Sequence, residues 1–344
     1  MKKIGVLLIN LGTPDAPTVT AVGRYLREFL MDPYVINLPW PLRWFLVNVM
    51  IVPRRKVLSA RLYQNIHSAD GSPLLVNTRD LARALARELA SRDDAYVLEF
   101  AMRYGNPSIA SALKKLFAAN VSRVIVAPLY PQYAESSFET AVAETRRVAE
   151  KLGRLKALSV LPPFYDRPDF ISASAQSIAG YLRPEPIDHV LFSFHSLPVK
   201  QVKRLDRTRQ HCSVKPDCCA EIGEVNRNCY RAQCVFTAKA IAGELGLADE
   251  AYTISFQSRL GRAQWLGPVT EDMLRKLAAR GVTKVAVCCP SFVADCLETL
   301  EEIGIRGRRI FCDAGGEQLK LIPALNAHPV WVETLANWIQ AAKN

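Results

Sequence analysis

The sequence predicts an α/β protein of two doubly wound halves, each built on a four-stranded parallel sheet. Three observations carry this. Eight short apolar runs, at 4–10, 96–102, 123–127, 157–161, 190–194, 252–256, 284–288 and 309–312, are each followed by a helical pattern, the alternation that wraps helices around parallel strands. The run at 190–194 is apolar and aromatic-rich, the composition of a strand covered on both faces. The prolines of the 161–168 stretch interrupt both patterns and divide the runs four and four. The boundaries that follow are a first domain over 1–163, a second over 164–315, and a C-terminal segment, 316–344, whose helix at 329–342 is expected to pack back on the first domain. A chain of 344 residues with 49% hydrophobic content is long enough for two cores.

The first strand, 4–10, follows Met1-Lys-Lys directly, with no leader-like apolar region and no small-residue cleavage site between them. Leu11-Gly-Thr-Pro-Asp-Ala-Pro17 then turns the chain at the carboxyl edge of the first sheet and lacks the glycine and lysine spacing of a phosphate loop. A helix through 25–30 leads into 37–53, rich in Trp, Phe and Met and edged by Arg54-Arg-Lys56. This segment reads either as a core helix or as an amphipathic lip around an apolar pocket that also touches a membrane surface. Its longest apolar run, 44–52, falls well short of the roughly 18 residues that span a bilayer. Asp70-Gly-Ser-Pro73 makes a tight turn in which Ser72 is placed to donate a hydrogen bond to a ligand carboxylate. The second strand ends at Arg103 and Tyr104 and the third runs out to Tyr130 and Tyr133, so the edge of the first half is aromatic and cationic. Arginine binds a carboxylate in bidentate fashion, and such a lining suits a flat, apolar, carboxylate-bearing ligand better than a sugar or nucleotide.

In the second half, Pro198 stops the strand at 190–194 and leaves His195 at its carboxyl end, the edge where open α/β sheets bind ligands. An imidazole there is a candidate base or metal ligand, set against the plainer role of a hydrogen-bonded structural histidine. About a hundred residues on, the strand at 285–290 again ends in proline, and 292–303 reads as a helix ending at Gly304 with Glu298 in its early turns. An imidazole and a carboxylate converging on one edge can bind a divalent metal or pass protons. The stretch 255–268 adds Trp265.

Nine cysteines without a secretory leader are expected as reduced thiols or metal ligands in a cytoplasmic protein. Five of them, Cys212, Cys218, Cys219, Cys229 and Cys234, crowd one segment after a basic run at 203–209, which points to a metal centre rather than to disulfides. Four thiolates also satisfy a tetrahedral zinc site, although the paired C-x2-C spacing of zinc ribbons is absent. The formal charge of +11 suits nucleic acid, an anionic membrane surface or a poly-carboxylate ligand, and no nucleic-acid motif supports the first.

Leu-Ile-Asn-Leu-Gly-Thr-Pro at 8–14, Gly-Ser-Pro at 71–73, Met-Arg-Tyr-Gly-Asn-Pro at 102–107, Tyr-Pro-Gln-Tyr at 130–133, Phe-His-Ser-Leu-Pro at 194–198, Phe-Gln-Ser-Arg-Leu-Gly at 256–261 and Asp-Cys-Leu-Glu-Thr-Leu-Glu at 295–301 resemble, in order and spacing over nearly the whole chain, the ferrochelatases. The resemblance implies a lyase of haem synthesis that inserts Fe²⁺ into a porphyrin with loss of two pyrrole protons, in a cleft between two Rossmann-like domains, with no organic cofactor. It assigns His195 to metal binding or pyrrole-proton acceptance, Glu298 to the carboxylate facing it, Ser72 and Arg103 to propionate contacts, and Tyr133, Trp265 and Leu11 to the pocket. Where many relatives carry a histidine this chain has Cys296, which puts a second metal-relay residue in doubt. Asn10-Leu11 stands where coproporphyrin-type enzymes carry a tyrosine, which favours protoporphyrin over coproporphyrin as substrate. Some ferrochelatases carry a [2Fe-2S] cluster, in certain bacteria within an internal segment that this one resembles. That resemblance implies a cluster on four of the five, and Cys212, Cys219, Cys229 and Cys234 are the expected ligands, with Cys218 the spare because its neighbour can take only one ligand direction. The competing classes are a haem or iron–sulfur carrier or sensor that kept the fold, disfavoured by the intact His195 and Glu298 pair, and a basic nucleic-acid protein. The partners implied are porphyrin and ferrous iron, with peripheral contact at the inner face of the membrane through 40–52. Oligomeric state is left open.

Overall fold

A computed structural model describes residues 3–93, 95–212, 217–259, 261 and 263–343. The chain divides into two compact units, one of residues 1–130, 134–163 and 326–344, the other of 131–133 and 164–325.

The first unit carries a parallel sheet of order β2-β1-β3-β4, formed by β1 (Ile4–Gly12), β2 (Tyr96–Tyr104), β3 (Arg123–Pro128) and β4 (Leu158–Val160). Its helices are α1 (Val19–Leu30), α2 (Trp40–Phe45), α3 (Val52–Ile66), α4 (Pro73–Arg92), α5 (Ile109–Ala118) and α6 (Thr140–Lys151). Val6 to Ile9 of central β1 are fully buried, in keeping with an apolar strand covered on both faces. β1 runs to Gly12, paired with Tyr104. Gly12 has φ +119°, and a Cβ on it would meet the Tyr104 carbonyl oxygen at 1.9 Å, so only glycine lets the two strand ends close here. The expected helix through 25–30 is the second half of α1, capped by the Thr18 hydroxyl on Ala21 N–H. Beyond it, α2 passes through a π-helical stretch, Leu46–Ile51, into α3, and Pro53 stands just after that stretch, where the widened turn accommodates a residue without an N–H inside a continuous helical run.

The second unit repeats the pattern with order β6-β5-β7-β8: β5 (His189–His195), β6 (Tyr252–Gln257), β7 (Lys284–Cys288) and β8 (Gln318–Leu321), all parallel. The helices are α7 (Pro168–Leu182), α8 (Val199–Arg204), α9 (Tyr230–Glu244), α10 (Thr270–Ala279) and α11 (Arg308–Asp313). Two expectations fail here for one reason. The stretch 292–303 was to be a helix stopped by Gly304, and 309–312 the eighth strand. Instead a π-helix, Glu298–Gly307, begins later, passes through Gly304 and continues as α11, and the eighth strand is β8. Ile303, Gly307 and Phe311 are all buried at four-residue spacing, a helical stripe against the core. Gly304 is there for space: a Cβ would stand 3.2 Å from the Leu321 side chain.

The C-terminal helix, α12 (Pro329–Ala341), comes after the second sheet but belongs to the first unit. Trp331 and Trp338 are buried and pack edge to face at 5.5 Å. Arg92 at the end of α4 donates to Asn337 Oδ1 at 2.7 Å and Gln340 Oε1 at 2.9 Å, and Arg123 to the Ala342 carbonyl at 2.7 Å.

Candidate active site

His195 is the last residue of β5, half-buried, its ring set edge-on to Phe292 with centroids 6.2 Å apart. It pairs in register with Gln257, the last residue of β6. The buried Gln257 side chain donates from Nε2 to the Glu298 carbonyl at 2.7 Å, while its Oε1 accepts from the Ser193 hydroxyl at 2.5 Å and from the Cys289 thiol at 3.6 Å. One amide thus joins the end of β6 to the start of the π-helix, which brings His195 and Glu298 to the same sheet edge. Reasoning from sequence passed over Gln257, although a polar amide closing an apolar strand is the available signal. Trp265 lies beside the turn after His195, bridging Pro198, with Leu266 N–H on the Leu197 carbonyl at 3.0 Å and the Ser196 hydroxyl on the Leu266 carbonyl at 3.0 Å.

The π-helix is anchored at its start by the buried Asp295, which accepts from the Thr299 hydroxyl at 2.8 Å and from Ala324 N–H at 3.2 Å. Cys296 is buried and hydrogen-bonded to Glu298. Burial first, and then the Glu298 carboxylate, push its thiol well up, so the sulfur keeps its proton and donates it to Glu298. One turn on, Glu302 accepts from Ser258 N–H at 2.8 Å and the Ser258 hydroxyl at 2.5 Å and pairs with Arg306 at 3.0 Å. Burial raises its pKa despite these partners, and Glu298 adds to the rise. Glu302 was not singled out from the sequence, although its four-residue spacing from Glu298 is legible there.

On the first unit, Ser72 is the residue before α4 and is buried, its hydroxyl 2.7 Å from that of Thr13. Leu11 is half-buried, its N–H held by Asn10 Oδ1 at 2.8 Å, and Asn10 Nδ2 in turn donates to Thr78 at 3.1 Å. Arg103 is engaged within the protein. Its guanidinium pairs with buried Asp32, donates to the Thr140 hydroxyl at 2.8 Å and carbonyl at 3.2 Å, and lies 4.4 Å from the Tyr104 ring centroid. Asp32 also accepts from Tyr104 at 2.9 Å and from Thr140 at 2.6 Å. Arg103 therefore has a full structural role, neutralising a buried carboxylate. Tyr133 groups with the second unit, its N–H held at 2.6 Å by Gln233 of α9.

The 37–53 segment divides between its two readings. Val47 and Val52 are buried with Leu30, as a core helix requires, whereas Trp40 (61% exposed), Leu42 (60%), Phe45 (54%), Trp44 and Met50 face outward.

The cysteine-rich segment is described except for 213–216. Cys218 and Cys219 sulfurs are 3.7 Å apart, so sequence adjacency does not turn them away from each other. Cys219 is hydrogen-bonded to Cys229; that bond, with Arg231 nearby, holds the Cys219 thiol below its ordinary value, while the same bond and burial push Cys229 up. Cys234, fully buried in α9, is hydrogen-bonded to the Tyr230 hydroxyl. Asp206 accepts from Cys212 N–H at 2.8 Å and His211 N–H at 3.0 Å, and Asn226 donates to the Cys218 carbonyl at 3.0 Å. Among the described residues no three His, Cys, Asp or Glu side chains already stand within reach of one metal ion. The donor set still fits an iron–sulfur group, since Cys219 and Cys229 already stand within hydrogen-bond reach of each other; the 3.7 Å from Cys219 to Cys218, the span of two thiolates about 2.3 Å from one tetrahedral metal, makes Cys218 an alternate donor.

A family model described as ferrochelatase matches residues 3–343. The chain is 49% identical over 332 residues to a ferrochelatase of Azotobacter vinelandii, covering 96% of each chain. It is 45% identical over 341 residues to one of Bdellovibrio bacteriovorus, covering 99% of this chain and 100% of the other. Among solved structures it is similar to the sirohydrochlorin chelatase SirB of Bacillus subtilis subspecies spizizenii in complex with cobalt, with a TM-score of 0.53 and 12% identity over 98% of this chain and 94% of that one. At that identity the likeness speaks for the fold.

Proposed function

Because the chain belongs to the ferrochelatase family, and so is a lyase of haem synthesis that inserts ferrous iron into a porphyrin, we propose that protoporphyrin is its substrate and that His195 and Glu298 carry the chemistry. The reaction exchanges two pyrrole N–H protons for Fe²⁺, so it needs a base working near neutral pH and ligands weak enough to hand the metal over. A half-buried imidazole at a strand end and a carboxylate at a helix start meet both needs. The observation that carries this is the Gln257 link, which ties the Glu298 main chain to the strand paired with His195. Cys296, a protonated thiol donating to Glu298, orients that carboxylate rather than relaying metal. The choice of protoporphyrin rests on Asn10-Leu11 at the first loop, with Leu11, Tyr133 and Trp265 as apolar contacts and Ser72 toward a propionate. Arg103 supports that edge by holding Asp32, and its propionate contact requires that ion pair to open.

The cysteine-rich segment, in this proposal, holds a [2Fe-2S] cluster on Cys212, Cys219, Cys229 and Cys234, with Cys218 the alternate. When bound, the cluster supplies a cross-link among loop and helix; iron insertion transfers no net electrons, so its role is structural or sensory. The exposed aromatic face around Trp40, Leu42 and Phe45, followed along the helical run by Arg54, Arg55 and Lys56, supports peripheral contact of a cytoplasmic enzyme with an anionic membrane surface.

The test is anaerobic incubation with Fe²⁺ and either protoporphyrin or coproporphyrin, followed by the metalloporphyrin spectrum. Faster turnover of protoporphyrin is expected. Faster turnover of coproporphyrin overturns the substrate choice, and turnover of neither overturns the assignment of His195 and Glu298 to chelation.

A further inference from the structure

The thiol-bearing helix α9 begins next to a residue that touches the candidate active site directly. Tyr230, the first residue of α9, is buried and follows Cys229. Its hydroxyl donates to the His195 carbonyl at 2.8 Å and stands 2.9 Å from the Ser291 hydroxyl. Ser291 precedes Phe292, whose ring meets the imidazole of His195. The Cys234 thiol, one helical turn along, hydrogen-bonds the same hydroxyl. One oxygen thus collects the end of β5, the loop after β7 and two consecutive turns of the cysteine-rich helix.

We propose that Tyr230 is a positioning residue for His195, through which the start of α9 and its Cys234 set the place of the imidazole at the sheet edge. The chain is short. A strand's last carbonyl fixes where its last side chain stands; on the β6 side Ser196 N–H still donates to the Gln257 carbonyl at 2.7 Å, while the His195 carbonyl itself is taken by Tyr230. The Tyr230 hydroxyl supplies a fixed donor from outside the sheet. Because that hydroxyl carries a single proton, whatever the Cys234 sulfur holds bears on the bond to His195, and the cysteine-rich segment gains a physical route to the chelation step. The inference rests on the assignment of His195 to chelation.

Tyr230→Phe keeps the ring and removes the hydroxyl. The expected result, measured on the full-length protein purified anaerobically, is a fall in kcat of about tenfold, as sub-ångström misplacement of a reacting group produces, with the KM for protoporphyrin within about twofold of the parent. The visible spectrum is expected to match the parent's, since no cysteine is lost. A folded variant with parental kcat overturns the inference, and so does an equal loss in kcat and porphyrin affinity, which marks general disorder of the site. If Tyr230→Phe does not fold, Ser291→Ala removes the hydroxyl's other anchor and is expected to lower kcat about threefold at unchanged KM; parental kcat in that folded variant overturns the inference. His195→Ala is measured alongside. Parental turnover there removes the premise, whereas lost turnover in His195→Ala with parental turnover in Tyr230→Phe overturns the role of Tyr230 alone.

Discussion

At the scale of single residues, His195 is a side chain whose loss should cost chemistry and little else. Its ring is half-buried and meets one aromatic edge, while its main chain is held by β6 and Tyr230. His195→Ala should lower iron insertion by about 10²-fold or more while the thermal midpoint moves only a few degrees; substantial residual turnover would remove His195 from the mechanism. Glu298→Gln keeps shape and removes charge, and should also slow insertion strongly; parental turnover there takes the carboxylate out of the metal and proton path. Glu302 makes a different prediction. Burial raises its carboxyl pKa above the unfolded value, so its favourable contribution is complete below the unfolded pKa, about 4.3, and is lost as pH rises through the folded value. Glu302→Gln, which still bonds Ser258, should therefore gain thermal stability relative to the parent as pH is raised from 4 toward 7, read by melting curves across that range. A constant difference would mean that Arg306 cancels the burial cost.

At the scale of elements, the helical run from α2 into α3 and the cysteine-rich segment each carry a test. The first presents Trp40, Leu42 and Phe45 outward, and further along the same run Arg54 to Lys56 supply positive charge. Co-flotation with anionic liposomes at low salt is expected, weakened by salt through screening and lost in Trp40→Ser combined with Phe45→Ser. A protein that stays wholly in the unbound fraction at low salt would leave this face without a membrane role. For the cysteine-rich segment, the protein purified without oxygen should be reddish and bleach on reduction. Serine at Cys212, Cys219, Cys229 or Cys234 should remove the colour, and serine at Cys218 should not. Colourless protein with stoichiometric zinc would replace the cluster by a structural metal and leave the chelatase reaction untouched.

At the scale of the whole molecule, chain order and spatial order part company once, at α12. The helix follows the entire second unit yet buries Trp331 and Trp338 in the first and receives Arg92 of α4. Truncation after Leu325 should therefore destabilise the first unit, by exposing two tryptophan surfaces and the face of α4, and leave the sheet of the second intact. Limited proteolysis should then degrade 1–163 ahead of 164–325; equal protection of both would mean that α12 contributes little to the core. Family membership across nearly the full length and the chelatase-like fold agree with two repeated four-stranded sheets.

By itself the sequence determined the α/β class, seven of the eight strands, the family, and the residues closing the strands, because buried parallel strands are short apolar runs and candidate site residues stand where those runs stop. His195 was legible in this way, as the polar residue before a proline-containing turn. Tertiary structure alone decided the rest. Phe311 belongs to a helix because Ile303 and Gly307 make one stripe with it, whereas four residues with three apolar members fit strand or helix equally by local pattern. Gly304 looks like a helix stop and is instead a point of close approach to Leu321, a contact made across the fold. Gln257, Glu302 and Tyr230 acquire meaning only through partners 35 to 44 residues away in the chain, in Glu298, Ser258 and His195. Arg103 shows the same limit from the other side. Its sequence setting shows a cation at a ligand edge, and the fold adds a partner for it, Asp32, 71 residues distant, that no local pattern announces. Local sequence records what each residue can do; which partner it meets is set by packing between segments far apart in the chain.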